Sequence, residues 1–344
     1  MEMGDDKVSG DNKAKMIGSN GLSGEIAALT AAFLWAAASL MFGRLGKQLS
    51  PVVLNLAKGL FALLFIGLTL SIQSSFSAAP AFGILTLPVY SVICLLTSGA
   101  VGIGLGDTAY FSAINSLGAR RALILETLAP PVSAVLAWIF LSERLSITAV
   151  AGIGLTLIGV VWVISERVPE TQISAGRLSA SRKGVWIALL AVMCQAAGAV
   201  LSRAALANTA VDPLASTLIR LLSGLVFMGV LIALRPQQLG AYRPDGDGDL
   251  KTWQTRWQRS WAALRTPKLL LAIAAAAFFA TYLGIWLQQI ALKYTATGIA
   301  QSLLATSPLF VLPMVAALGD RVSWRSVCGA TVALSGVWLL FYVG

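Results

Sequence analysis

The chain has 344 residues, of which 57% are hydrophobic and 12% charged, with a formal net charge of +10 and no histidine. A soluble domain carries roughly 25% charged residues, and a surface this apolar would expose patches that water does not tolerate, so lipid is the expected solvent. The missing histidine excludes HExxH zinc proteases, Ser–His dyads and triads, and histidine proton relays. Three single cysteines, Cys94, Cys194 and Cys328, make neither a disulfide framework nor a CxxC metal site.

Residues 1–22 mix Glu2, Asp5, Asp6, Lys7, Asp11, Lys13 and Lys15, a polar tail unlike the basic start of a signal peptide. Apolar stretches follow at 23–43, 52–72, 88–115, 119–141 and 147–165. A polar linker at 166–183 separates them from a second set at 184–206, 214–234, 268–292, 296–318 and 324–343, which ends the unit 184–344. About 20 residues of helix cross a bilayer, and unbroken runs of this length are helices rather than barrel strands. The expected fold is an all-α integral membrane protein of ten transmembrane helices.

The loop at 235–267 carries Trp253, Trp257 and Trp261 at four-residue spacing, with Lys251, Arg256, Arg259 and Arg265 around them. That pattern predicts an amphipathic helix lying in the membrane interface. The preceding Asp245–Asp249 run is not an EF-hand, because Leu250 and Arg256 stand where that loop needs glycine and glutamate. The basic residues cluster beside apolar runs, as at membrane edges, and form no nucleic-acid module.

The two sets resemble each other. A shift of 177 carries Leu141–Ser146 (LSERLS) onto Leu318–Ser323 (LGDRVS), Pro131 onto Pro308, Gly152 onto Gly329 and Gly159 onto Gly336. In the second stretch of each set a base lies seven residues after a proline: Lys58 after Pro51, and Arg220 after Pro213. Such agreement in register marks an internal repeat. With five helices per unit, the second unit must cross in the opposite sense. Inverted repeats with a ligand site between them are the recurring plan of secondary transporters.

Leu34-Trp35-Ala36, the doubled early base, and a proline twelve residues before each acid (Glu143, Asp320), with glycine nine residues after it, carry a family likeness. The chain resembles the EamA-type, two-repeat branch of the drug/metabolite transporter superfamily over 23–343. The resemblance implies two five-helix repeats, 23–165 and 184–344, around a central cavity, with alternating access for an amino acid, metabolite or drug-like solute. Gln195, where the second repeat would carry a tryptophan, and the long seventh loop depart from the pattern. The expected setting is multi-pass in the plasma (inner) membrane, as a monomer or dimer, with small-molecule substrate and lipid as partners. No cofactor, metal or nucleic acid is expected. An intramembrane lipid-acting enzyme and a non-transporting scaffold or receptor are the rival readings.

Lys58, Asp107, Glu126 and Arg220 lie inside helices, where a charge costs about 2.5–3.5 kcal/mol on insertion scales and therefore faces a cavity or a partner. Lys58 and Arg220 are expected to recognise substrate charge, with Glu126 or Asp107 exchanging a proton. Snorkelling is the alternative for the bases, seven residues or about 10 Å into their helices. Glu126 is the expected partner of Lys58, and Asp107 is expected near the end of its helix. The 177 shift sets Asp107 against Gly284 and Glu126 against Leu303, so both acids belong to the first half. Trp35, Gln195, Trp286 and Gln301 are candidate linings. Gly99, Gly102, Gly104 and Gly106 suit close helix packing better than a dinucleotide fingerprint. Counted together with the helix ends beside them, Lys and Arg number 17 in the odd loops against 6 in the even loops and tails. That count places the termini outside, whereas the resemblance implies the reverse.

Overall fold

In the computed structural model the described residues are 23–39, 41, 45, 49, 51–76, 87–117, 119–165, 182–234, 261–262, 264–317 and 323–343. Among them no strand occurs. Among the described residues nine helices are long and apolar enough to cross a bilayer, and the shorter apolar helix Ser23–Ser39 precedes them. In chain order the spans are α1 (Ser23–Ser39), α2 (Pro51–Phe76), α3 (89–117), α4 (119–141) and α5 (Ile147–Ser165). The second five are α6 (Arg182–Leu206), α7 (Pro213–Leu234), α8 (267–294), α9 (297–317) and α10 (Trp324–Val343). Each fills one expected stretch, giving the ten-helix membrane fold. Most of the tryptophan-bearing loop, including Trp253 and Trp257, lies outside the described residues, as do linker residues 166–181 and Asp320–Arg321.

The turns are short and capped. Ser142 ends α4 in the left-handed conformation at φ 56°, and the Glu143 N–H reaches back to the Ala137 carbonyl at 3.3 Å. Ser146 and Ser323, 177 apart, cap α5 and α10, their Oγ atoms accepting from Ala149 N and Arg325 N at 3.1 Å each. Asp212 Oδ2 accepts from Leu214 N and Ala215 N at 2.8 and 3.0 Å and starts α7. The turns at 142–146, 207–212 and 295–296 share one membrane face, termed face A; the ends of α3 and α5 lie at the opposite face B.

Packing is inside-out relative to a soluble protein. Trp138, Phe140, Ile147, Trp186, Trp324 and Trp338 are exposed, whereas Ala28, Ala31, Ala32, Ala36, Ala62 and Ala191 are buried. Large apolar side chains face lipid, and small ones let the helices approach.

The repeat is visible in the irregularities. A π-helical run, Gly99–Gly106, interrupts α3, and another, Ala277–Leu283, interrupts α8. The 177 shift carries 99–106 onto 276–283. Likewise α4 breaks between Glu126 and Ala129, and α9 between Leu304 and Ser307. Pro131 and Pro308 follow these breaks and lack the N–H that would continue the helical ladder.

The inversion is visible where α5 crosses α10. A Cβ on Gly159 would lie 2.6 Å from the Gly329 carbonyl oxygen, and one on Gly329 would lie 3.2 Å from that of Gly159. Gly152 and Gly336 make the same mutual approach, at 3.2 and 2.8 Å. Position 152 therefore meets the equivalent of 159, and 159 meets the equivalent of 152. Reciprocal contact of this kind is what a two-fold axis produces; because α5 and α10 run antiparallel, the axis lies in the membrane plane. Away from this seam the halves interlock: α3 packs on α6 and α7, while α8 packs on α2.

Candidate functional site: a charged centre between the halves

Lys58 Nζ donates to Asp107 Oδ2 at 2.9 Å, and Gln195 Nε2 donates to Asp107 Oδ1 at 3.2 Å. The ammonium also stands 5.2 Å from the centre of the Phe111 ring. Asp107 thus joins α2, α3 and α6, with the Lys58 and Asp107 side chains only 11% and 19% exposed. Two sequence expectations are corrected here. The partner of Lys58 is Asp107, not Glu126. Nor is Asp107 at a helix edge: it stands ten residues, about 15 Å, before the end of α3. The helix runs on through the polar Ser116 to Leu117, past the end of the apolar stretch at 115, and so leaves Asp107 deeper than the hydropathy edge implied.

The other half holds the matching places with different chemistry. Arg220 corresponds to Lys58, Gly284 to Asp107, Gln288 to Phe111 and Trp35 to Gln195. Where Gln195 reaches Asp107, Trp35 lies over Gly284, so closely that a Cβ there would overlap the indole nitrogen. The Trp35 Nε1–H donates to the Ala280 carbonyl at 2.8 Å. Bulk at one position fills the room left by a missing side chain at the other.

Arg220 is buried on α7, and its Nη1 donates to Gln288 Oε1 at a long 3.4 Å. Its backbone is pressed against the π run of α3: a Cβ on Gly99 would overlap the Arg220 carbonyl, and one on Gly102 would lie 3.4 Å from Nη2. The Arg220 Nε–H has no hydrogen-bond partner among the described residues, and neither has the Nε2 of buried Gln289, whose Oε1 accepts from Ser216. Both unspent groups are donors. Asp107 lies within electrostatic range of Arg220 and of Glu126, but the only ion pair it forms among the described residues is with Lys58.

Glu126 ends the first segment of α4, at the break. Trp286 packs beside Tyr282, with ring centres 5.9 Å apart, in the apolar cluster around Ile66, Leu221 and Tyr282. Gln301 is half-buried in the first segment of α9. Among the described residues no hydrogen bond joins either side chain to the charged centre. Sequence reasoning missed Phe111, Gln288 and Gln289. The 177 shift, applied one turn beyond Asp107, pairs Phe111 with Gln288 and was the available signal.

A second polar cluster lies at face A. Arg203 Nε pairs with Glu143 Oε1 at 2.6 Å, and Arg203 Nη1 donates to the carbonyls of Leu292 and Lys293 at 2.8 Å each. The other carboxylate oxygen, Glu143 Oε2, accepts from Thr297 N at 2.9 Å. One ion pair therefore caps the end of α8 and the start of α9.

Ten apolar spans, an inverted duplication and charged residues at its centre define an integral multi-pass membrane protein of the transporter type. Residues 22–165 and 182–342 each match the EamA-like transporter family, and the chain belongs to that family. No curated protein matches. A solved structure described only as "Crystal structure of protein" is similar in fold, with a TM-score of 0.67 at 16% identity, over 92% of this chain and 96% of its own.

Proposed function

We propose that the chain is a secondary transporter that carries a small solute bearing a carboxylate or comparable anionic group, its centre opening to the two faces in turn. The observation that carries this reading is the buried Arg220, which forms no ion pair among the described residues and keeps an unspent donor, opposite a half-site whose own cation is already cancelled by Asp107. A buried guanidinium lacking a carboxylate is an incomplete fork that a ligand carboxylate completes. Trp35, Trp286, Gln195 and Gln301 would line the path, and Glu126 would exchange a proton. The centre moves a solute and makes no covalent change in it, which sets this reading against a lipid-acting enzyme. The plasma membrane is the proposed location, with the solute and lipid as partners.

The test is flux into proteoliposomes of a panel of labelled small carboxylates and their amides. Carboxylates should be carried and amides refused. A charge-assisted hydrogen bond contributes about 1.5–3 kcal/mol, so Arg220→Gln should weaken apparent affinity roughly 10- to 100-fold, with Arg220→Lys milder. Equal transport of acids and amides, or normal flux in Arg220→Gln, would refute anionic recognition.

A further inference from the structure

Among the described residues the largest buried apolar cluster lies at face A, beside a smaller one that contains Ile66, Leu70 and Leu214. The larger cluster includes Ala28 and Ala31 of α1, Cys94 and Leu95 of α3, Ile153 of α5, Leu206 of α6, Ile219 of α7, Leu292 of α8, Leu303 of α9 and Leu340 of α10. All lie in the face A portions of their helices, and they come from both halves. At face B the described buried residues form separate clusters: Leu45, Val53 and Ile273 in one, Ala113, Ala122 and Ala188 in another, Val160, Leu309 and Ala333 in a third.

We infer that the Glu143–Arg203 pair is the latch that holds face A shut. Glu143 belongs to the first half; its partners, Arg203 and the Thr297 N–H, belong to the second. Arg203 in turn grips the carbonyls that end α8, so the pair fastens three elements of the second half to the α4–α5 turn of the first. The surroundings are close-fitting: a Cβ on Gly298 would come within 2.8 Å of Ala134 Cβ and 3.1 Å of Leu145 Cδ1. Within the second half, Lys293 Nζ donates to the Val211 carbonyl at 2.7 Å and joins the end of α8 to the turn before α7. Separating the halves at face A must break this pair, and breaking it leaves two helix ends uncapped. A charged latch suits the task. Once the halves part, water can hydrate both charges and offset much of what the pair loses, so the closed and open forms stay close in free energy. The site described above needs no such pair for binding, and the latch acts on access alone.

The inference rests on the transporter reading, but its test needs no substrate. Cys94 lies in the larger face A cluster and Cys328 on α10 outside it. Single-cysteine versions of the full chain, retaining one or the other, are labelled in proteoliposomes with a membrane-impermeant maleimide. Glu143→Gln keeps the size and removes the charge. It should speed Cys94 labelling about tenfold, the change in open population that a tenfold shift in equilibrium gives, and leave Cys328 unchanged. Arg203→Ala should do the same, and the exchanged pair E143R/R203E should restore part of the slow rate. Cys94 labelling unchanged in Glu143→Gln overturns the latch. So does a parallel rise at Cys94 and Cys328, which would make the pair a general staple of the fold. If Arg203→Ala does not fold, Glu143→Gln decides.

Discussion

Asp107→Asn separates what Lys58 contributes to folding from what it contributes to transport. At 2.9 Å and an effective dielectric of about 20, the attraction between the two charges is about 6 kcal/mol, much of it offset by the desolvation of both. Removing one partner forfeits the attraction and leaves the other charge buried, a defect of about 3–5 kcal/mol. Asparagine still offers one oxygen to the ammonium, its amide N–H can donate to a Gln195 side chain turned to present its oxygen, and Lys58 is slightly exposed, so the lower end, about 3 kcal/mol, applies. Removing both charges, as in Lys58→Met with Asp107→Leu, should return stability to within about 1 kcal/mol of the starting protein. The assay is unfolding in detergent micelles, arranged as a double-mutant cycle. The neutral double variant should still bind anionic solute through Arg220. A single-variant cost under about 1 kcal/mol would show that the pair behaves as a solvated surface bridge, and the reasoning from burial would fail.

Glu126→Gln should make solute flux indifferent to an imposed pH gradient while leaving exchange of solute for solute intact; an unaltered pH response would remove Glu126 from proton coupling. Gly159→Ala should destabilise by about 1–3 kcal/mol, since its Cβ has to displace backbone across the α5–α10 seam. Gly154→Ala, in the same helix with nothing within 4 Å, should be neutral or better in a thermal-shift measurement. Cysteines placed at Ser146 and Asp212 should react from one side of the membrane and one at Ser323 from the other. Which side is cytoplasmic then decides between the charge count and the family likeness.

The spans were legible because twenty apolar residues in a row have few other uses. The repeat was legible because Ser146 and Ser323 cap equivalent helices, and because Gly152, Gly159, Gly329 and Gly336 are held in place by a shared axis. The charged centre was legible only as a set of residues. Its pairing depended on which turn of α3 faces α2, and the π run reset that turn without leaving a mark in hydropathy. The latch is hidden from sequence for another reason: Glu143 stands in a repeated motif, and Arg203 lies inside the apolar run 184–206 with no motif around it. Sixty residues separate them, and only the packing of α4 against α6 brings them together.

The paired π runs bear on which changes in length the chain can survive. Each residue of an α-helix turns the following side chains by about 100°. Each π run holds more residues per turn than the α-helix on either side, so deleting one residue within Gly99–Gly106 or Ala277–Leu283 should let the run close to α-helix, with Asp107 still facing Lys58 and Gln288 still beside Arg220. A one-residue deletion in the α-helical parts of α3 or α8 is instead a rotational change, felt at the charged centre even when hydropathy and span length look untouched.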